Sequence, residues 1–211
     1  MTNENDLTRQ LFDDAQLHKP DPMDLFVNWL NEAKASEIND ANAMSLATVD
    51  SNGMPDCRIM LLNGFGPDGF VFYTNLRSAK GQELAQNPKV CLLFHWKSLR
   101  RQVRVRGEAA PVSKEEADAY FATRPRGSQI GAYASHQSTP LLERGKLTDE
   151  VAQLTKQFEG KDVPRPDHWS GFRVAPSTIE FWQDGQYRLH DRVTFSRAKK
   201  TAPWTAQRLN P

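Results

Sequence analysis

Hydrophobic positions recur on two different periods along the 211-residue chain, and the change of period marks its elements. Over residues 22 to 33 the side chains of Leu25, Phe26, Trp29, Leu30 and Ala33 fall three and four positions apart, which is the spacing of one helix face. Pro22, directly after Asp21, suits the first turn of that helix. From Ala43 onward the apolar runs become short and rich in β-branched and aromatic residues: Ala43 to Val49, Cys57 to Leu62, Phe70 to Asn75, Val90 to Trp96 and Gln102 to Val105. Turn clusters such as Ser51-Asn52-Gly53 and Gly66-Pro67-Asp68-Gly69 punctuate them. Connections this short permit antiparallel pairing but not repeated parallel crossovers, each of which needs about a dozen residues or more. The predicted architecture is therefore mainly β with peripheral helices (α+β), a closed or nearly closed antiparallel barrel.

Helical inserts interrupt the strands. Ser78 to Gln86 reads as one short helix, and Ser113 with Glu116 three positions on opens another that runs to about Thr123. Leu141 to Phe158 reads as a third, with Leu147, Val151 and Leu154 on one side. The last strands are predicted over Gly171 to Glu180, Tyr187 to Arg197 and, shortest, Trp204 to Leu209. Residues 1–20 carry little apolar periodicity and are expected to form a mobile arm, leaving 21–211 as a single domain.

Charge narrows the field of partners. With 27 Lys and Arg against 26 Asp and Glu, neither sign dominates, so nucleic acid and anionic membranes have no global attraction to the chain. Any anion site must be local. No apolar run approaches the ~20 residues that span a bilayer, and the N-terminus is polar and acidic, so a cytoplasmic protein is expected. The only cysteines, Cys57 and Cys91, sit in separate apolar segments and read as reduced, buried thiols. The five histidines share no helix-face spacing, so no structural metal site is expected.

Three segments concentrate chemistry. In the first, Glu180-Phe181-Trp182-Gln183 is followed after four residues by Arg188-Leu189-His190-Asp191-Arg192, which reads as a hairpin turning at Asp184-Gly185. Alternation on its second strand puts Arg188, His190 and Arg192 on one face, although a solvated sheet face would show the same pattern. The second joins Arg58-Ile59-Met60-Leu61-Leu62 to Phe72-Tyr73-Thr74-Asn75 and Ser78-Ala79-Lys80-Gly81. A strand end leading into a Ser-opened helix with a lysine is a phosphate cradle in outline, and an ordinary capped turn looks alike. In the third, Tyr120 and Arg124 stand four apart at a helix end, hence on one face, and Ser128 begins the next helix.

The first of these strings resembles the signature of the pyridoxamine (pyridoxine) 5'-phosphate oxidase family, and the resemblance runs from about residue 22 to the C-terminus. It implies an FMN-binding split β-barrel of antiparallel Greek-key type, and a homodimer with flavin sites at the subunit interface. It implies FMN contacts from Arg58, Ile59, Met60, Leu61, Tyr73, Thr74, Lys80, Gln102, Gln137, Ser138, Trp182 and Arg192. Tyr120, Arg124 and Ser128 would grip the substrate phosphate, joined by Asn63 where the family usually has Lys. Arg188 and His190 would face the substrate ring as the catalytic pair. Many members also carry Arg where this chain has Ala79. The implied reaction oxidises pyridoxamine 5'-phosphate, and pyridoxine 5'-phosphate, to pyridoxal 5'-phosphate while O2 becomes H2O2. The alternative is a barrel that holds FMN or a B6 phosphate with weak or no oxidation, and peroxide release separates the two.

Overall fold

A computed structural model describes residues 21–211, and the expected N-terminal arm lies outside them. Helix α1 (Pro22–Ser36) begins where the pattern placed it, with the Asp21 carboxylate accepting the Met23 N–H at 2.9 Å. Its stripe of Phe26, Trp29, Leu30 and Ala33 is buried. Phe26 meets Phe65, Phe70 and Phe94 edge to face at 5.2, 4.9 and 5.2 Å, and Trp29 meets Phe181 likewise at 5.2 Å. This aromatic cluster is the centre of the core, where truncating one Phe to Ala costs about 3–5 kcal/mol.

Around it curls one nine-stranded antiparallel sheet. The strands are β1 (Ala43–Val49), β2 (Pro55–Leu61), β3 (Gly64–Gly66), β4 (Gly69–Asn75), β5 (Lys89–Trp96), β6 (Arg101–Pro111), β7 (Trp169–Gln183), β8 (Asp191–Ser196) and β9 (Thr205–Leu209). Their order is β2-β1-β5-β6-β7-β4-β3, with β8 also on β7 and β9 on β8. Strand β7 organises the whole. It pairs with β6 along its length, while its other edge holds β4 near Trp169 to Val174 and β8 near Thr178 to Gln183. At that changeover the β6–β7 register shifts between Arg106 and Gly107. A Cβ on Gly107 would lie 2.1 Å from the Ala175 carbonyl oxygen, so only glycine allows the close approach that bends the sheet there.

Among the described residues the other α-helices are α2 (Ala79–Gln86), α3 (Lys114–Thr123), α4 (Arg126–Ala134) and α5 (Arg144–Gln157). Ser78 and Ser113 cap α2 and α3 by accepting the Gly81 and Glu116 N–H groups at 3.3 and 3.1 Å. A second cluster, Phe121, Ile130, Phe158, Val163 and Trp169, fixes the helical layer to the start of β7. Among the described residues no helix is long and apolar enough to cross a membrane.

Several elements differ from the pattern. Residues 187–190 are not strand: Gln186–Arg188 forms a 3-10 turn in which Tyr187 and Arg188 take φ of 55° and 65°, so β8 starts only at Asp191. The connection is too long for a two-residue hairpin, and Arg188, His190 and Arg192 do not share a strand face. Helix α5 starts at Arg144 and buries no residue, leaving Leu141 and Leu142 exposed ahead of it and Val151 exposed on it. Arg124 is the extended C-cap of α3 (ψ 145°) and so leaves the helix face that carries Tyr120, while Ser128 lies in the first turn of α4 behind Arg126. Both cysteines are free, yet Cys57 is exposed, because the outward face of the edge strand β2 is uncovered in the protomer.

Candidate functional site

Strand β4 delivers Tyr73, Thr74 and Asn75 to the mouth of a cleft whose opposite wall is α4 and the loop after it. Asn75 Nδ2 donates to the Ser135 carbonyl at 3.2 Å, which ties that loop to the strand end. The tie brings Gln137 to Lys80, whose ammonium donates to Gln137 Oε1 at 3.0 Å and to Ser78 Oγ at 3.5 Å. Lys80 is buried and, among the described residues, has no carboxylate within ion-pair distance. Burial, with the Arg58 charge nearby, holds its pKa below the ordinary lysine value.

Across the cleft stands Arg124, half-buried. Its guanidinium packs over Trp169, with Cζ 4.7 Å from the ring centroid, and over Phe121 at 5.5 Å. Its buried Nη1 has no hydrogen-bond partner among the described residues, and burial lowers its pKa. An unpaired buried guanidinium nitrogen is costly unless an anion completes it. Helix α4 adds to this: it begins at Pro125 without a side-chain cap and has no acidic residue in its first turn.

The floor between the two cations is aromatic. Tyr73 stacks on Tyr120 at 3.9 Å and on Trp169 at 5.2 Å, with planes within 8°. Burial, reinforced by the Glu116 charge, pushes the Tyr73 hydroxyl up to about 12, so it stays protonated. Tyr73 can lie across the sheet because its neighbour on β7 is Gly171. Two adjoining cavities of about 350 and 480 Å³ share Met60, Tyr73, Arg124, Ser128 and Trp169, and the larger adds Ile59, Leu61, Asn63 and Tyr120. Thr74, Lys80 and Gln137 line the smaller. A cavity of about 620 Å³ at the end of α1 holds only Asn63 of the predicted set, so size alone does not mark the chemistry.

A second cluster lies elsewhere. Gln102, Trp182 and Arg192 stand opposite one another on β6, β7 and β8 and line a cavity of about 200 Å³ with Arg104 and Glu180. The buried Glu180 carboxylate accepts from Arg104 at 2.5 Å and Arg192 at 3.0 Å, which fixes both guanidiniums. His190 packs on Trp182 at 4.6 Å. His190 Nδ1 lies 3.2 Å from the Gly185 N–H and 3.3 Å from Asp184 Oδ1, which hold the ring in place. Arg188 is exposed on the turn and makes no hydrogen bond or ion pair among the described residues. Gly171, beneath the first cluster, and Trp182, in the second, are eleven positions apart on β7, roughly 36 Å in a straight strand.

Arg58 and Ser138 line neither cluster's cavities. Arg58 is engaged by Asp56, by Thr48 and by Glu83 at 3.1 Å. Ser138, at φ 68°, lines a separate cavity of about 430 Å³ between the loop and α5. The pattern missed Trp169 and Glu180 as working residues. Trp169 shows its role only through the Asn75 pairing that places it beneath Tyr73 and Arg124, and no local signal marks it.

The protomer is thus an antiparallel split barrel with an aromatic cleft lined by two cations, Lys80 and Arg124. The chain belongs to the pyridoxamine 5'-phosphate oxidase family of oxidoreductases: the family's sequence profile matches residues 30–183. The profile of the pyridoxine 5'-phosphate oxidase C-terminal dimerisation region matches residues 169–211. A Mesorhizobium japonicum protein named pyridoxine/pyridoxamine 5'-phosphate oxidase is 56% identical over 209 residues, 99% of this chain and 100% of that one. One of the same name from Caulobacter vibrioides is 55% identical over 212 residues, 99% and 95% of the two chains. Among solved structures, PhzG from Burkholderia lata, in complex with tetrahydrophenazine-1-carboxylic acid, superposes with a TM-score of 0.87 at 29% identity, covering 96% of this chain and 98% of that one. An FMN binding protein from Nostoc punctiforme is alike in fold, with a TM-score of 0.72 at 17% identity over 90% and 98%.

Proposed function

We propose that this protein is an FMN-dependent oxidase that converts pyridoxamine 5'-phosphate, and pyridoxine 5'-phosphate, into pyridoxal 5'-phosphate. In the amine reaction substrate, O2 and water give the aldehyde, ammonia and H2O2. The observation that carries the reading is a pair of cations, buried Lys80 and half-buried Arg124, which have no carboxylate partner among the described residues and open on one aromatic-floored cleft. Two anionic groups fit them: the phosphate of a flavin mononucleotide and the phosphate of the substrate.

In this reading Lys80, Gln137 and Thr74 hold the cofactor phosphate, and Met60 and Tyr73 border its ring system. FMN, when bound, supplies the two-electron acceptor. Arg124, Ser128 and Tyr120 anchor the substrate phosphate, which fixes where the reacting carbon can lie. Gln102, Trp182 and Arg192 complete the cofactor pocket, while Arg188 and His190 meet the substrate ring. The two clusters sit toward opposite ends of β7, and in this reading the second comes from the other copy of a homodimer. The dimerisation-region match over 169–211 and the exposed apolar Ile59 and Leu61 on β2 support that arrangement.

Purified protein should be yellow, release FMN on denaturation, and consume O2 with equimolar H2O2 on adding pyridoxamine 5'-phosphate. Bound FMN without O2 uptake on either vitamer would leave only a binding role, and failure to take up FMN would overturn the reading.

A further inference from the structure

We propose that Asn63 is a positioning residue: it holds the Tyr120 hydroxyl so that the phenolic proton is offered to the substrate phosphate. This rests on the phosphate site proposed above. Asn63 Nδ2 donates to Tyr120 Oη at 2.6 Å, and the Asn63 backbone is pinned by its N–H to the Val71 carbonyl at 2.9 Å. The Tyr120 ring is held by stacking on Tyr73, so its hydroxyl proton has one freedom, rotation about the C–O bond. With a lone pair occupied by the amide, the hydroxyl must point its proton elsewhere, and among the described residues nothing accepts it.

The same cavity carries the unpaired Nη1 of Arg124 and the hydroxyl of Ser128. These groups are donors in search of an acceptor, which is the chemistry of a phosphate monoester. Only one of them is charged. Asn63 is exposed and neutral, so its contribution passes through Tyr120 and not through charge. The Tyr120 contact is therefore conditional on Asn63.

A double-mutant cycle tests this. Asn63→Ala should raise KM for pyridoxamine 5'-phosphate about 3- to 10-fold, the range of one hydrogen bond, with kcat little changed. In a Tyr120→Phe background, which keeps the ring stack, the same substitution should add nothing. Equal losses in both backgrounds would show Asn63 acting on the ligand directly, and no loss in the wild type would show it idle; either result overturns the proposal. The cycle is repeated on the Kd of pyridoxal 5'-phosphate, titrated calorimetrically into the protein as purified. That measurement needs no turnover, so a wild type that binds the ligand but oxidises nothing defeats the activity and leaves the Asn63 result readable.

Discussion

The Arg124 guanidinium lies over the indole of Trp169, its Cζ 4.7 Å from the ring centroid, while its Nη1 is buried with no partner among the described residues. The stack orients the fork and removes it from water, so the charge is poised for an incoming anion. Arg124→Gln should lower kcat/KM for the phosphorylated substrate roughly 10- to 150-fold, the worth of a charged hydrogen bond. Arg124→Lys should recover only part of this, because a lysine does not stack. Steady-state kinetics decide the matter, and full recovery with Lys would mean that the stack does not contribute.

Gly171 is a second lever on the same floor. A methyl group there would lie 2.6 Å from Tyr73 Cε1, and Tyr73 is confined between Trp169 and Tyr120. Gly171→Ala should therefore cost about 1–3 kcal/mol of stability by overpacking. FMN and substrate affinity should fall with it. Thermal melting and flavin fluorescence titration would report both, and an unchanged FMN Kd would separate Tyr73 from the cofactor site.

Lys80 predicts a pH dependence. Burial lowers its pKa, so the unliganded protein loses that proton at a pH where a free lysine keeps it. A bound phosphate favours the charged form and raises the pKa again, so binding takes up a proton in that window. FMN affinity should weaken as pH rises through the lowered Lys80 pKa, before the ordinary lysine range is reached. Lys80→Arg should move that alkaline limb upward. An FMN Kd flat to pH 10.5, the reference lysine value, would contradict the assignment.

Much of this was legible in the sequence because it is local. The α1 stripe, the Ser78 and Ser113 caps and the span of β1 follow from spacing and cap chemistry within a few residues. Lys80, Arg124 and Gln102 came from the family resemblance, and the fold places them on clefts. What stayed hidden depends on distant pairing or on the backbone. The Tyr187 and Arg188 turn requires positive φ at two non-glycine residues, which no alternation of side chains announces. Trp169 acquires its role from the β4–β7 register, and Cys57 is exposed because β2 is a sheet edge. Arg58 is expected at the cofactor from the resemblance, and its pairing with Glu83 is a long-range contact that no local pattern shows.

The central claim is that each site is shared by two copies of the chain, and subunit mixing tests it most directly. Lys80→Met disables the first cluster and His190→Ala the second, each giving a protein of little activity. After subunit exchange at equal amounts, a shared site leaves one intact site in every heterodimer, restoring about a quarter of wild-type activity. If both clusters served the same protomer's site, every site would keep one lesion, and activity no greater than that of the unmixed variants would contradict the account.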